Sequence, residues 1–488
     1  MASARSTRSS LRRRSAARSS PSTTRTGPRG DRRSRQLFGH AAVNLTSEIV
    51  ARSLAVDVDC VPEDVLQTAR HAVLDVMACG LLGAKEPAVA LLFEEALDEG
   101  GRAAVPLIGY EQRVNRHQAA RINATASHIL DYDDSAEAAD SHLSSPIVHA
   151  LLALGHSIDA SGAHVLAAYV AGYEAACQIA QTCNVTELYR RGWHATSVVG
   201  VLGVAIACSR LLNLSSAATS QAVGIAATQA AGLKASFGTM CKSLHAGEAS
   251  SRGMRAALLA GCGFTSCDHI LEAPQGYAWC FSGQEPIHSI GSVATDVWYL
   301  RRNLFKYHAA CHLTHAYIEA AQALRERDAL RVDRIARITL RASPMCLDVC
   351  NIGEPRTGLE GKFSLSHVVA MALHGFNTAD ATLFSDDMAS HPGLKALRAR
   401  TQVLIENDRD RLTARVEITT DDGRCHAADS NTAITHDPGT SQAKVRAKFV
   451  ALGTPILGSA RTLALQDAIL DIDRLGSISQ ILEAAARP

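Results

Sequence analysis

The 488-residue sequence predicts a mainly α-helical protein with an inserted α+β unit. Three observations carry this. From about 40 to 300, apolar residues recur at helical spacing in one segment after another. Several of these segments are rich in Ala and Gly and almost uncharged, as central helices enclosed by others are. After 300 the texture turns β-branched and alternating, then becomes helical again. A composition that is 47% hydrophobic but only 5% aromatic suits helix-on-helix packing, and the length allows a large core.

The elements follow in order. Residues 1–36 hold eleven Arg, one acid (Asp31) and almost no large apolar side chain, so they predict a disordered extension that cannot join a core. Their Arg/Ser-rich composition resembles an organellar transit peptide and lacks the apolar segment of a secretory signal. A cytoplasmic location is expected, or a mitochondrial one if this stretch is a transit peptide. SEIVARSLAVDV (47–58) and EDVLQTARHAVLDVMACGLLG (63–83) are amphipathic helices by spacing. VLAAYVAGYEAACQIAQ (165–181), SVVGVLGVAIACSRLL (197–212) and SSAATSQAVGIAATQAAGL (215–233) are the central ones, with small residues permitting close approach. RIARITLRAS (334–343) and ARVEITTDDGRCHAADS (414–430) read as strands, the second folded on a DDG turn, with KFSLSHVVAMALHGF (362–376) as a helix between them. SQAKVRAKFVALG (441–453) onward is helical. The division expected is 1–36 extension, 37–302 helical domain, 303–438 inserted α+β unit and 439–488 helical return.

Composition also excludes. Without residues 1–36 the chain carries 38 Lys+Arg against 47 Asp+Glu, a net −9, which argues against nucleic-acid binding. No run of about 18 consecutive apolar residues occurs, so no membrane span is expected. Thirteen cysteines, among them Cys60, Cys183, Cys262, Cys267 and Cys425, show no CxxC pair, and they read as buried thiols rather than zinc, iron–sulfur or disulfide ligands.

Four stretches can carry chemistry. DYDDSAEAADSH (131–142) sets Asp131, Asp133 and Asp134 between two apolar helices. It is a solvated capping loop, a metal site, or a catalytic edge in which Asp131 orients a base and His142 faces substrate. RRGWHATSVVG (190–200) places His194 just before an apolar helix, whose N-terminus suits an anion; the other reading is a cap histidine. In KASFGTMCKSLHAGE (234–248), Lys242 and His245 lie among small residues, and burial would lower the lysine pKa and make it a base or a carboxylate clamp. In FKYHAACHLTHAYIEAA (305–321), His308, His312 and His315 would share a face if helical, but no HExxH or nearby carboxylate supports a metal there. Lys306 is a second candidate cation.

Taken together, HILDYDDS…HLSSPIV, GWHATSVVG, FGTMCKSLHAG, GFTSCDHILEAPQGY, FKYHAACHLTHA and EGKFSLSHVVAMAL resemble the MmgE/PrpD family from about residue 45 to 480. That family includes 2-methylcitrate dehydratase and cis-aconitate decarboxylase. The resemblance implies a large helical domain with a smaller α+β lid, a homodimer, and a site between the domains that needs no metal or cofactor. It assigns Asp131, His142, His194 and Lys242 as catalytic and Lys306, Ser135, Tyr132, His245 and His312 to substrate. Ser135-Ala136 stands where members often have Thr-His, and Cys311 stands where the pattern has its histidine, with His312 one step later.

The expected activity is a metal-independent lyase on a small di- or tricarboxylate, acting by proton abstraction next to a carboxylate. Several fixed cations would stabilise the enediolate-like charge. The alternatives are an epimerase or isomerase of a dicarboxylate, and an inactive binding protein.

Overall fold

The computed structural model describes residues 45–284, 297–432 and 438–487. The Arg/Ser-rich stretch 1–36 lies outside the described residues. Helices dominate, and their starts are chemically marked. Asn115 and Gln118 form a reciprocal capping box on helix Arg116–Ile129, Ser161 caps Gly162–Thr182, and Thr239 caps Met240–Gly261. Each cap satisfies backbone N–H groups that have no partner within the helix.

The central helices are apolar all round because they are enclosed. Gly162–Thr182 and Gly200–Leu211 cross in near-backbone contact at Gly172 and Gly203. A Cβ on Gly172 would sit 2.7 Å from the Gly203 carbonyl oxygen and 2.6 Å from Ala207 Cβ. Gly247 likewise lets Met240–Gly261 press against the Arg121 carbonyl of Arg116–Ile129. That second contact matters for function: it brings Lys242, in the first turn of one helix, beside Asp131, which follows the end of the other.

The α+β part is a four-stranded sheet in the order Thr401–Ile405, Ile335–Ala342, Thr413–Thr420, Cys425–Asn431. The first pair is parallel, joined through helical segments that include Leu365–His374, and the other two pairs are antiparallel. The inner strand Thr413–Thr420 alternates buried and half-buried residues. One hydrophobic core runs through both this part and the helical body. Helix Pro438–Leu457, followed by Ser459–Leu470 and Ser479–Ala485, lies on Glu63–Gly83, and its Lys448 reaches Asp75 there.

Glu63–Gly83 is long and apolar enough to cross a bilayer by length and composition, although it contains no unbroken run of 18 apolar residues; 83% of its apolar window is buried in the fold, and it carries Asp75. Two expectations change. Cys60, Cys241, Cys262, Cys280 and Cys425 are exposed, so the thiols are not uniformly buried. Residues 305–311 are not helical: Ala309 N–H donates to the Thr378 carbonyl and Cys311 N–H to the Lys362 carbonyl, and the α-helix begins only at His315. Tertiary backbone bonds outbid the helical pattern there.

Candidate active site

The acid run is buried. Leu130 ends helix Arg116–Ile129, and Asp131 then takes a left-handed backbone (φ 49°), a conformation that Asp tolerates better than most residues. The turn throws its carboxylate into the interior. Four residues farther on, Ser135 and Ala136 pair antiparallel with Leu304 and Asn303, which brings the 303–306 segment alongside.

Two ammonium groups converge on Asp131 Oδ1: Lys242 Nζ at 2.6 Å and Lys306 Nζ at 3.1 Å. Lys306 Nζ also donates to the Asp131 carbonyl at 2.8 Å. Burial alone would raise the Asp131 carboxyl, but Lys242 and Lys306 hold it well below the usual carboxylate range. A cation in the first turn of a helix is disfavoured by the helix dipole, so Lys242 depends on this carboxylate. The rings of Phe237 and Phe363 lie 5.7 and 5.2 Å from its Nζ.

Histidines line the other wall. His142 Nδ1 lies 2.9 Å from the Asp134 carbonyl oxygen, which can only accept, so Nδ1 carries the proton. In the neutral ring Nε2 is then bare, 3.8 Å from Asp131 Oδ1. His194 Nδ1 meets His245 Nδ1 at 3.0 Å, so the two neutral rings adopt opposite tautomers. Burial and the nearby cations push His142 and His194 well below the ordinary imidazole value, and burial with His128 and Lys242 brings His245 to about 4. All three rings are neutral at pH 7.

Behind them lies a second acid pair. Asp75 and Asp134 are both fully buried. Asp75 has Lys448 Nζ at 2.7 Å; burial raises its carboxyl above the ordinary value, and Lys448 opposes the rise. Asp134 has no ammonium partner among the described residues; burial and the Asp75 carboxylate push it up to about 8, so it holds a proton at pH 7.

The cleft in front opens to solvent and has a volume of about 80 Å³. Asp131, Ser135, His142, His194, Lys242 and His312 line it, with Arg411 contributed from the α+β side. Arg411 donates to Asp140 at 2.8 Å and to the Glu137 carbonyl at 3.1 Å.

Some expected residues stand elsewhere. Lys306 is fully buried behind Asp131 and does not line the cleft. Tyr132 also faces away, with its hydroxyl on the Tyr307 carbonyl and Lys448 Nζ 3.8 Å over its ring. His245 supports His194 from behind. Asp131 does not set a histidine tautomer; Asp133, 2.9 Å from His128 Nδ1, and the Asp134 carbonyl do so. Lys242 is buried as expected, but as an ion-pair partner. His312 reaches the cleft wall, and neither of its ring nitrogens has a partner among the described residues.

Sequence reasoning missed His128, Arg411, Lys362 and Lys448. Only His128, five residues before Asp133, left a local signal.

His308, His312 and His315 form no metal-ligating group: His308 Nδ1 is held by Thr378 Oγ1 at 2.7 Å, and His315 Nε2 faces the Ala310 carbonyl at 3.2 Å. A different set, His128, Asp131, Asp133 and His142, has ligating atoms within 4.8 Å of one another. A metal ion fits poorly there. Asp131 already faces two ammonium groups, at 2.6 and 3.1 Å, whose charge repels a further cation.

Comparison with known proteins gives a consistent result. The model of the MmgE/PrpD N-terminal domain matches residues 48–289, and that of the MmgE/PrpD C-terminal domain matches 308–473. A cis-aconitate decarboxylase of Aspergillus terreus is 26% identical over 91% of this chain and 96% of its own. The cis-aconitate decarboxylase-like protein oryM of Aspergillus oryzae is 27% identical over 90% and 96%, and the human cis-aconitate decarboxylase 27% over 80% and 84%. On the strength of these matches across both parts of the chain, the protein belongs to the MmgE/PrpD family.

Proposed function

We propose that the protein is a metal-independent lyase of a small di- or tricarboxylate, and that its reaction is a decarboxylation of the cis-aconitate kind. One observation carries the reading: a buried carboxylate, Asp131, locks the ammonium of Lys242 at the floor of a cleft whose walls are neutral histidines. Lys242 has three N–H donors, and Asp131 takes one. The others suit a substrate carboxylate, with Arg411 across the cleft for a second. The names of the relatives point to the same substrate class.

The chemistry follows from charge. Binding two or three carboxylates adds negative charge beside His142 and His194, which raises their basicity and draws a proton onto a ring. Breaking the C–C bond to an allylic carboxylate releases CO₂. The bond's electron pair becomes a new double bond, and the old one moves its pair to the far carbon. That carbon takes the proton from the histidine, and the fixed ammonium stabilises the charge in transit.

A hydro-lyase is the second reading, favoured by the bare Nε2 of His142. That atom is a ready base for a proton next to a carboxylate.

The test is incubation of the purified protein with cis-aconitate, citrate, 2-methylcitrate and related acids, read by proton NMR and CO₂ trapping. Release of one CO₂ per substrate consumed is expected with cis-aconitate or a close analogue. Consumption of a hydroxy acid without CO₂ would favour the hydro-lyase. No turnover of any acid would overturn both readings.

A further inference from the structure

Three successive backbone carbonyls at the centre of the site are each held by a different buried lysine. Lys362 Nζ donates to the Leu130 carbonyl at 2.7 Å, Lys306 Nζ to that of Asp131 at 2.8 Å, and Lys448 Nζ to that of Tyr132 at 2.5 Å. The outer two lysines also reach the neighbouring segment. Lys362 donates to the Ala309 carbonyl at 2.8 Å, and Lys448 to the Lys306 carbonyl at 3.2 Å. The loop carrying Asp131 and the segment carrying Lys306 are therefore stitched together on both sides of the Asp131–Lys306 ion pair.

Neither outer lysine lines the cleft. They come from distant parts of the chain, Lys362 from the α+β part and Lys448 from helix Pro438–Leu457. Both are buried, at 2% and 7% exposure. Burying an ammonium is expensive unless every donor is used, and Lys448 uses three: Asp75, Tyr132 O and Lys306 O. The other oxygen of Asp75 accepts the Asp134 N–H at 3.0 Å, so the Asp75–Lys448 pair grips the loop at one further point. A pair serving only to neutralise charge would not need carbonyls from both catalytic segments. The left-handed Asp131 also needs such bracing, because its conformation is sparsely populated and persists only where the surroundings enforce it.

We propose that Lys362 and Lys448 are positioning residues, which hold the Asp131 carboxylate in register with Lys306 and Lys242 by bridging the carbonyls on either side of it. The proposal rests on the lyase reading only for its kinetic readout.

The decisive variant is K448M/D75N. It removes both charges of the buried pair, an exchange that is often neutral for stability, while leaving Tyr132 O and Lys306 O without their donor. The thermal midpoint is expected to stay near that of wild type. The kcat is expected to fall by up to roughly a hundredfold, the effect of misplacing a catalytic group by about 1 Å, with KM little changed. A crystal structure of the variant is expected to show the Asp131–Lys306 contact opened beyond its 3.1 Å. Wild-type kcat with that contact intact would overturn the proposal and leave Lys448 as a counter-ion of Asp75.

If the double variant does not fold, K362M carries the same test, because it strands no carboxylate. If wild type turns over none of the acids, the lyase reading falls. The crystal structures of the two variants then decide the positioning role on their own.

Discussion

Replacing Asp131 by Asn removes one charge and strands two. Lys242 and Lys306 would lose the carboxylate they share, at 2.6 and 3.1 Å, inside a site where both are buried. Removing one partner of a buried ion pair typically destabilises by about 3–5 kcal/mol. The pH dependence gives the sign. The folded-state pKa of Asp131 is depressed, so its stabilisation is present above the unfolded carboxylate value of about 3.9 and is lost as pH falls toward the folded value. Thermal and urea melts of wild type and D131N at pH 7 should therefore differ by several kcal/mol, and the gap should narrow in acid below about pH 4. Activity should vanish along with the charge. A D131N protein as stable as wild type at pH 7 would refute the ion-pair account of the site.

Other perturbations separate the roles. His142→Asn and His194→Asn should each lower kcat by roughly two to four orders of magnitude if the ring moves the proton, measured at saturating substrate. Lys306→Met should lower kcat and stability together rather than raise KM alone, because Lys306 lies behind Asp131 and out of the cleft; steady-state kinetics and a melt distinguish the two. Asp134→Asn should be at least as stable as wild type at pH 7. The folded carboxyl sits at about 8, so wild type loses stability as pH rises from about 4 toward 8 while the amide does not, and melts across that range should show the gap widening. Dialysis against EDTA should leave turnover unchanged; stoichiometric metal by elemental analysis, with activity lost on chelation, would contradict the reading of the His128–Asp131–Asp133–His142 group.

Much of the fold was legible because helical periodicity and β alternation are local signals. The strands at 335–342 and 413–431 and the uncharged central helices needed only their own residues to be recognised. Asp131, His142, His194 and Lys242 were legible as unusual polar groups in apolar surroundings. What was not legible depends on direction and distance. The left-handed turn at Asp131 decides that its own side chain faces Lys242 while Tyr132 faces away, and no spacing rule gives that. Lys448 meets Tyr132 from 316 residues away, and Lys362 meets Leu130 from 232. In sequence, each is merely a lysine near a helix. His312 kept its place at the cleft although the helix expected to carry it does not form, because tertiary hydrogen bonds claim the backbone of 309–311.

The central claim is that the ammonium locked by Asp131 receives a substrate carboxylate. A crystal structure with propane-1,2,3-tricarboxylate, a saturated tricarboxylate with neither a double bond to shift nor a hydroxyl to lose, tests it most directly. One carboxylate should lie within hydrogen-bond distance of Lys242 Nζ, with a ligand carbon facing His142 or His194 and the Asp131–Lys242 contact retained. The acid bound elsewhere, or absent from a cleft that remains closed to it at saturating concentration, would contradict the account.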